Sequence, residues 1–188
     1  MVNQWRHRRT LVRGDFRVFA VREDFYTHPK HEGERSFFVI DAPDWANVVA
    51  VTPAREIVMV RQFRPGTRGV RLEIPGGMVE PGEDPARAAV RELREETGYC
   101  GEEPELLCVT EPNPALQSNR CWSYLVRDAR RVGELQPDHD EVIEPVLIPP
   151  EDLERIVRDG EFSHALLLVP ILHYLARRRA GQEPGEPQ

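Results

Sequence analysis

The 188-residue chain carries 25 basic and 32 acidic side chains, a net charge of −7, and 40% hydrophobic residues. That length suits one domain, or one domain with a small accessory lobe, and the apolar content is enough for a real core. Net acidity argues against non-specific nucleic-acid binding, which needs a basic surface. The longest apolar stretch, Ala165 to Leu172, is too short to span a bilayer and contains Pro170. No apolar run follows the basic residues Arg6, His7, Arg8 and Arg9, so no signal peptide is expected. Cys100, Cys108 and Cys121 are odd in number and include no CxxC pair, which points to reduced thiols in a cytoplasm. Lys30 is the only lysine; this bias toward arginine is too uniform to mark a site.

Taken in order, residues 15–26 alternate weakly and read as a strand, and 36–41 as another, with His28-Pro29 and Glu32-Gly33 between them. This segment reads as a small N-terminal sheet apart from the main body. Residues 46–52 and 56–63 are apolar strands around Thr52-Pro53-Ala54-Arg55, a hairpin signal. Residues 70–75 form a short strand leading into a glycine loop at Gly76, Gly77 and Gly82. Asp84 is a good N-cap, Pro85 sits where a helix tolerates proline best, and Gly98 supplies a left-handed stop, so a helix fills the interval. Residues 105–111, 121–127 and 142–148 read as strands, the last ended by Pro149-Pro150. Residues 151–159 and 163–179 read as helices, the second with a kink at Pro170, and the tail from Gly181 as disordered. Without a regular βαβ rhythm, the class is α/β or α+β with a mixed sheet.

Projected at about 100° per residue with Glu92 at zero, Glu95 falls near 300° and Glu96 near 40°. Three carboxylates therefore share one arc, bordering a core face of Ala86, Ala89, Val90 and Leu93. Like charges at these spacings each destabilise a helix by about 0.2–0.5 kcal/mol. Arg91 can relieve Glu95, and a divalent cation would turn the remaining repulsion into attraction, hard cations such as magnesium taking oxygen ligands. A solvated helix laced with Arg–Glu pairs is the plainer reading of the helix alone. The loop before it tips the balance, because its glycines bring backbone carbonyls close to the helix start, where Glu83 adds a fourth carboxylate.

The order Gly77, Glu83, Arg91-Glu92-Leu93, Glu95-Glu96, Gly98 resembles the Nudix box, matching at every charged and glycine position of that 23-residue motif. Only Tyr99 departs, replacing the usual aliphatic, which touches packing and not chemistry. The resemblance implies a Nudix α/β/α sandwich with a mixed sheet, preceded by a small N-terminal antiparallel β lobe. It implies an N-terminal lobe over 1–44, a hydrolase domain over 45–180 and the tail over 181–188. It also implies a metal set of Glu92, Glu95, Glu96 and the Gly76 carbonyl, holding magnesium with manganese as the alternative.

Other segments resemble the ADP-ribose pyrophosphatase branch of the family. Arg61-Gln62-Phe63-Arg64 ends a strand; its two arginines are expected on one side, able to clamp a diphosphate, and the resemblance gives Arg64 the phosphate contact. Leu72-Glu73-Ile74-Pro75-Gly76-Gly77 matches that branch's lead-in to the box, and Pro114 lies close to its marker proline. Gln117-Ser118-Asn119-Arg120 offers groups for a sugar or base, Arg120 among them. The acidic run Asp138-His139-Asp140-Glu141 resembles the branch's mobile acidic loop, with Glu141 aligning as catalytic base and Asp140 or Glu144 as alternatives. Of Trp5, Trp45 and Trp122, Trp45 is best placed to stack on a base.

The reading is thus a metal-dependent pyrophosphohydrolase that splits ADP-ribose or a related nucleoside diphosphate sugar into nucleoside monophosphate and sugar phosphate. Glu96 and Glu141 lead the catalytic set, the partner is a second copy in a homodimer that exchanges the N-terminal lobe, and neither membrane nor nucleic acid is expected. The rivals are Nudix enzymes acting on oxidised nucleoside triphosphates or RNA 5′ ends, and a non-catalytic nucleotide sensor; the intact box and the lack of a basic recognition segment count against the last.

Overall fold

The computed structural model describes residues 4–30, 32–136 and 142–182, and they fall into two compact units. One joins the chain up to Asp44 with Glu111–Arg120, and the other joins Trp45–Thr110 with the part from Cys121 onward. Glu141, Asp140 and His139, and the tail beyond residue 182, lie outside the described residues.

The smaller unit is an antiparallel meander of β1 (Arg6–Asp15), β2 (Ala20–Thr27) and β3 (Glu34–Asp41). The strand expected over 15–26 starts only at Ala20, and a further strand of ten residues, β1, precedes it over Arg6–Asp15. Between them the chain reverses at Arg17, whose φ of 69° is left-handed, with the Asp15 carboxylate accepting from the Arg17 N–H at 3.0 Å. The alternation of β1 is hidden because its side chains are almost all exposed, so polar residues occupy both sides. The 111–120 segment is stitched to the end of β3: Ile40 N–H donates to Leu116 O at 2.8 Å and Ser118 N–H to Ile40 O at 3.1 Å.

The larger unit is built on a mixed sheet. Its order is β12 (Ile143–Ile148), β5 (Ile57–Arg64), β4 (Trp45–Val51), β10 (Cys121–Val126) and β9 (Glu105–Thr110). β4 and β10 are parallel, while the other neighbours are antiparallel. β6 (Gly69–Glu73) pairs with β5 and β7 (Gly76–Met78) with β4, while β8 (Tyr99–Cys100) and β11 (Arg130–Arg131) make a small separate ladder. The helices are α1 (Pro85–Thr97), α2 (Pro150–Arg158) and α3 (Ala165–Arg179), and α3 continues through Pro170. None of the described helices is long and apolar enough to cross a membrane.

Alternation along the strands divides the core in two. Ala46, Val48, Ala50, Val58 and Val126 pack on Ala88, Ala89 and Leu93 of α1. Val49, Ile57, Met59 and Leu125 pack on Leu153 and Ile156 of α2 and on Ile171 and Leu175 of α3. The result is the expected α/β/α sandwich with an antiparallel N-terminal sheet.

Candidate active site

The glycine loop and α1 are fixed at both ends by local chemistry. Asp84 Oδ1 accepts from the N–H groups of Ala86 at 2.9 Å and Arg87 at 3.4 Å, satisfying donors the first turn leaves open. Gly98 stops the helix at φ 74°, its N–H bonded to Arg94 O at 2.8 Å. Close approach explains the loop glycines: a Cβ at Gly76 would lie 2.5 Å from Ala46 O, and one at Gly77 2.5 Å from Glu92 Oε1.

The buried residues of α1 are Ala88, Ala89, Leu93, Glu96 and Thr97. This corrects the expected core face: Ala86 and Val90 are only partly covered, and the face is rotated so that Glu96 lies within it and not on its border. Glu96, 3% exposed, has its Oε2 accepting from the Gly76 N–H at 2.9 Å, so its burial is satisfied by backbone.

Arg91 gathers the other box acids. It donates to both Glu83 oxygens at 3.0 Å, to Glu92 Oε1 at 2.8 Å, to Glu95 Oε2 at 3.1 Å and to Met78 O at 3.1 Å. The bidentate contact with Arg91 holds the Glu83 carboxyl below its ordinary range, and the same acids, Glu83 first, raise the guanidinium of Arg91. Loop, helix start and acidic edge are thereby tied through one cation.

Arg64 and Arg61 part company. Three positions apart on β5, they point to opposite faces of the sheet, which corrects the expectation of a clamp on one side. Arg61 turns toward Glu144, 3.8 Å away on β12. Arg64 lies against Glu73, whose Oε2 accepts from its Nε at 2.9 Å and Nη2 at 2.5 Å and from Gln62 at 3.4 Å. Glu73 is fully buried, and its Oε1 has no hydrogen-bond partner among the described residues. The sequence signal for Glu73 was an acid between Leu72 and Ile74 in the lead-in to the box.

A cleft of about 600 Å³ opens at the end of the sheet where β4 and β10 begin. It is bordered by Trp45, Arg64, Gly76, Glu92, Glu95 and Glu96, so these expected site residues come together in one place, with Glu73 beside them. Asn47, Cys121 and His164 also line it, none of them expected from sequence. Neither Arg61 nor Arg120 does; the Arg120 backbone N–H caps Asp44 Oδ1 at 2.8 Å in the smaller unit.

The donors bordering the cleft fit a hard divalent cation in kind: carboxylates of Glu92, Glu95 and Glu96, with the glycine loop beside them and no imidazole or thiolate on α1. Among the described residues no three acidic, His or Cys side chains converge as a ready ligand set. Arg91 holds one oxygen each of Glu92 and Glu95.

A sandwich with an acidic helix edge, a glycine loop and an arginine at one cleft suits a phosphate anhydride bound with a hard cation. Residues 41–167 match the NUDIX domain model, and the chain belongs to the Nudix family as a pyrophosphate-bond hydrolase. It is 31% identical to an ADP-ribose pyrophosphatase of Bacillus subtilis over 145 residues, covering 77% of this chain and 78% of that one. It is 33% identical over 157 residues to an ADP-sugar pyrophosphatase of Mus musculus, covering 75% and 71%. A crystal structure of an ADP compounds hydrolase shares the fold, with a TM-score of 0.84 at 18% identity over 96% of this chain and 97% of that one.

Proposed function

We propose that this enzyme hydrolyses the diphosphate of ADP-ribose or a related nucleoside diphosphate sugar, giving nucleoside monophosphate and sugar phosphate. The observation that carries the reading is the meeting of Glu92, Glu95, Glu96, the glycine loop and Arg64 at one cleft. The pyrophosphatase names of the two relatives support the substrate class.

In this reading Glu92 and Glu96, assisted by Glu95 and the Gly76 carbonyl, hold magnesium or manganese. Bound there, a divalent ion supplies a Lewis acid for phosphoryl oxygens and makes hydroxide accessible near neutral pH. Glu96 keeps its place through the Gly76 N–H, and Gly77 leaves the room that Glu92 occupies. Arg64, oriented by Glu73, places its guanidinium where charge gathers on the diphosphate. Arg91 and Glu83 hold loop against helix. Trp45 borders the cleft, where its ring would stack on a base or sugar. Glu141 accepts the proton of the attacking water, a role resting on sequence resemblance alone; of its alternatives, Glu144 faces Arg61 and lies away from the cleft lining.

The active form is a homodimer. The smaller unit leaves Phe37 44% and Phe38 56% exposed on a three-stranded sheet, apolar area that a second copy would cover. Incubation of the full chain with ADP-ribose and magnesium is expected to release AMP and ribose 5-phosphate; absence of AMP, with release from another nucleotide sugar, would move the substrate within the class.

A further inference from the structure

One row of polar side chains on the α3 face of the sheet has no part in the chemistry above. Parallel pairing sets Asn47 of β4 beside Ser123 of β10, and antiparallel pairing sets Cys108 of β9 beside Ser123 and Thr110 beside Cys121. Asn47 is 3% exposed and Ser123 fully buried. The Asn47 amide donates to Cys121 Sγ at 3.2 Å, a soft acceptor. Asn47 Oδ1, Ser123 Oγ and Thr110 Oγ1 are buried without a hydrogen-bonding oxygen or nitrogen among the described residues, Ser123 having the Cys108 thiol beside it. Buried polar atoms are almost always satisfied, and leaving several unpaired in one place is costly. Apolar residues would fill these positions at no such cost, as Val49 and Leu125 do two residues further along the same strands.

The row has a definite place. Asn47 pairs with Gly76, and a Cβ at Gly76 would lie 2.6 Å from Asn47 Cβ. Asn47 and Cys121 border the cleft beside Trp45, His164 and Leu167, on the sheet face away from α1. A group reached by the amide therefore sits next to the glycine loop. Beyond Asn47 the row runs into the core at Val49 and Leu125 and is blind.

We propose that Asn47, with Ser123 behind it, is a hydroxyl-binding subsite for the sugar on the distal phosphate; this rests on the nucleotide-sugar reading. The amide oxygen needs a donor, which an ionised phosphate lacks and a sugar hydroxyl supplies. A blind end suits a terminal sugar, whereas a ribose bearing a base must lead onward.

The test is equilibrium binding to the full chain, with calcium in place of magnesium, of ADP-ribose and of the β-methyl ester of ADP, which has no distal sugar. The wild type is expected to bind ADP-ribose about tenfold more tightly, the worth of one hydrogen bond to a buried group. Asn47→Leu is expected to bind both with the affinity of the methyl ester, and Asn47→Ala, which crowds nothing, to do the same with an unchanged melting curve. A wild type that binds the two alike overturns the proposal without any variant. So does a variant that keeps the preference for ADP-ribose, or one that weakens both ligands equally. AMP release by the wild type in magnesium reports separately on the nucleotide-sugar reading.

Discussion

The two units of this chain are stabilised in different ways. The larger buries both faces of its sheet, so the central strands β4, β5 and β10 alternate between two apolar cores and Leu93 and Ile171 are fully covered. The smaller is a single sheet whose β1 is exposed almost throughout, and which relies on pairing and on ion pairs such as Arg13 with Glu23. A sheet covered on both faces can hold carboxylates at fixed places, as with Glu96 and Glu73; a single sheet offers strand surface to a partner.

The contrast can be broken in order of effect. Glu96→Gln should cost turnover about 10²–10³-fold or more, as expected when the ion that stabilises the developing charge is no longer held in place. The Gln Oε1 can still accept from Gly76, so the fold should persist; an active Glu96→Gln enzyme in a steady-state assay would displace the metal assignment. Arg64→Lys keeps the charge and loses the fork, and kcat/KM should fall about tenfold; an unchanged kcat/KM would place Arg64 outside the substrate contact. For stability, Leu93→Ala should cost about 2–5 kcal/mol in denaturant unfolding. Phe38→Ala in the smaller unit should cost under about 1 kcal/mol of protomer stability, and Phe38→Asp should instead lower the molecular mass in solution from dimer to monomer. Equal losses at Leu93 and Phe38 would mean the smaller unit has a core of its own.

The smallest effect is one of pH. Glu105 bonds Arg127 at 2.7 Å and Arg177 at 2.6 Å, and these contacts, Arg127 first, hold its carboxyl below the ordinary value of 4.5. A carboxyl lowered by folding stabilises the native state above the unfolded value, and the contribution is lost as pH falls through the folded one. Glu105→Gln should therefore melt lower than wild type at pH 7, and the gap should close below about pH 4.5.

Much of this was legible in the sequence, for reasons that differ by residue. α1 announces itself because Asp84, Pro85 and Gly98 each act within one turn, and β4 and β5 because burial on both faces gives unbroken apolar runs. β1 stayed hidden because an exposed strand has no need to alternate. The depth of Glu96 was missed because helical projection counts a carboxylate as surface, while here a backbone N–H from Gly76 makes burial tolerable. Arg61 was misplaced by spacing: three residues along a strand is an odd step and reverses the face. Asn47 carried no signal, since one amide among valines gains meaning only when β10 and the glycine loop lie beside it.

The central claim is that the acidic edge of α1 serves to cleave a diphosphate with a divalent ion. The most direct measurement is AMP release from ADP-ribose by wild type and Glu96→Gln, each with magnesium and with chelator. Release by the wild type in magnesium alone is the predicted result. Equal release in chelator, or by Glu96→Gln in magnesium, would contradict it.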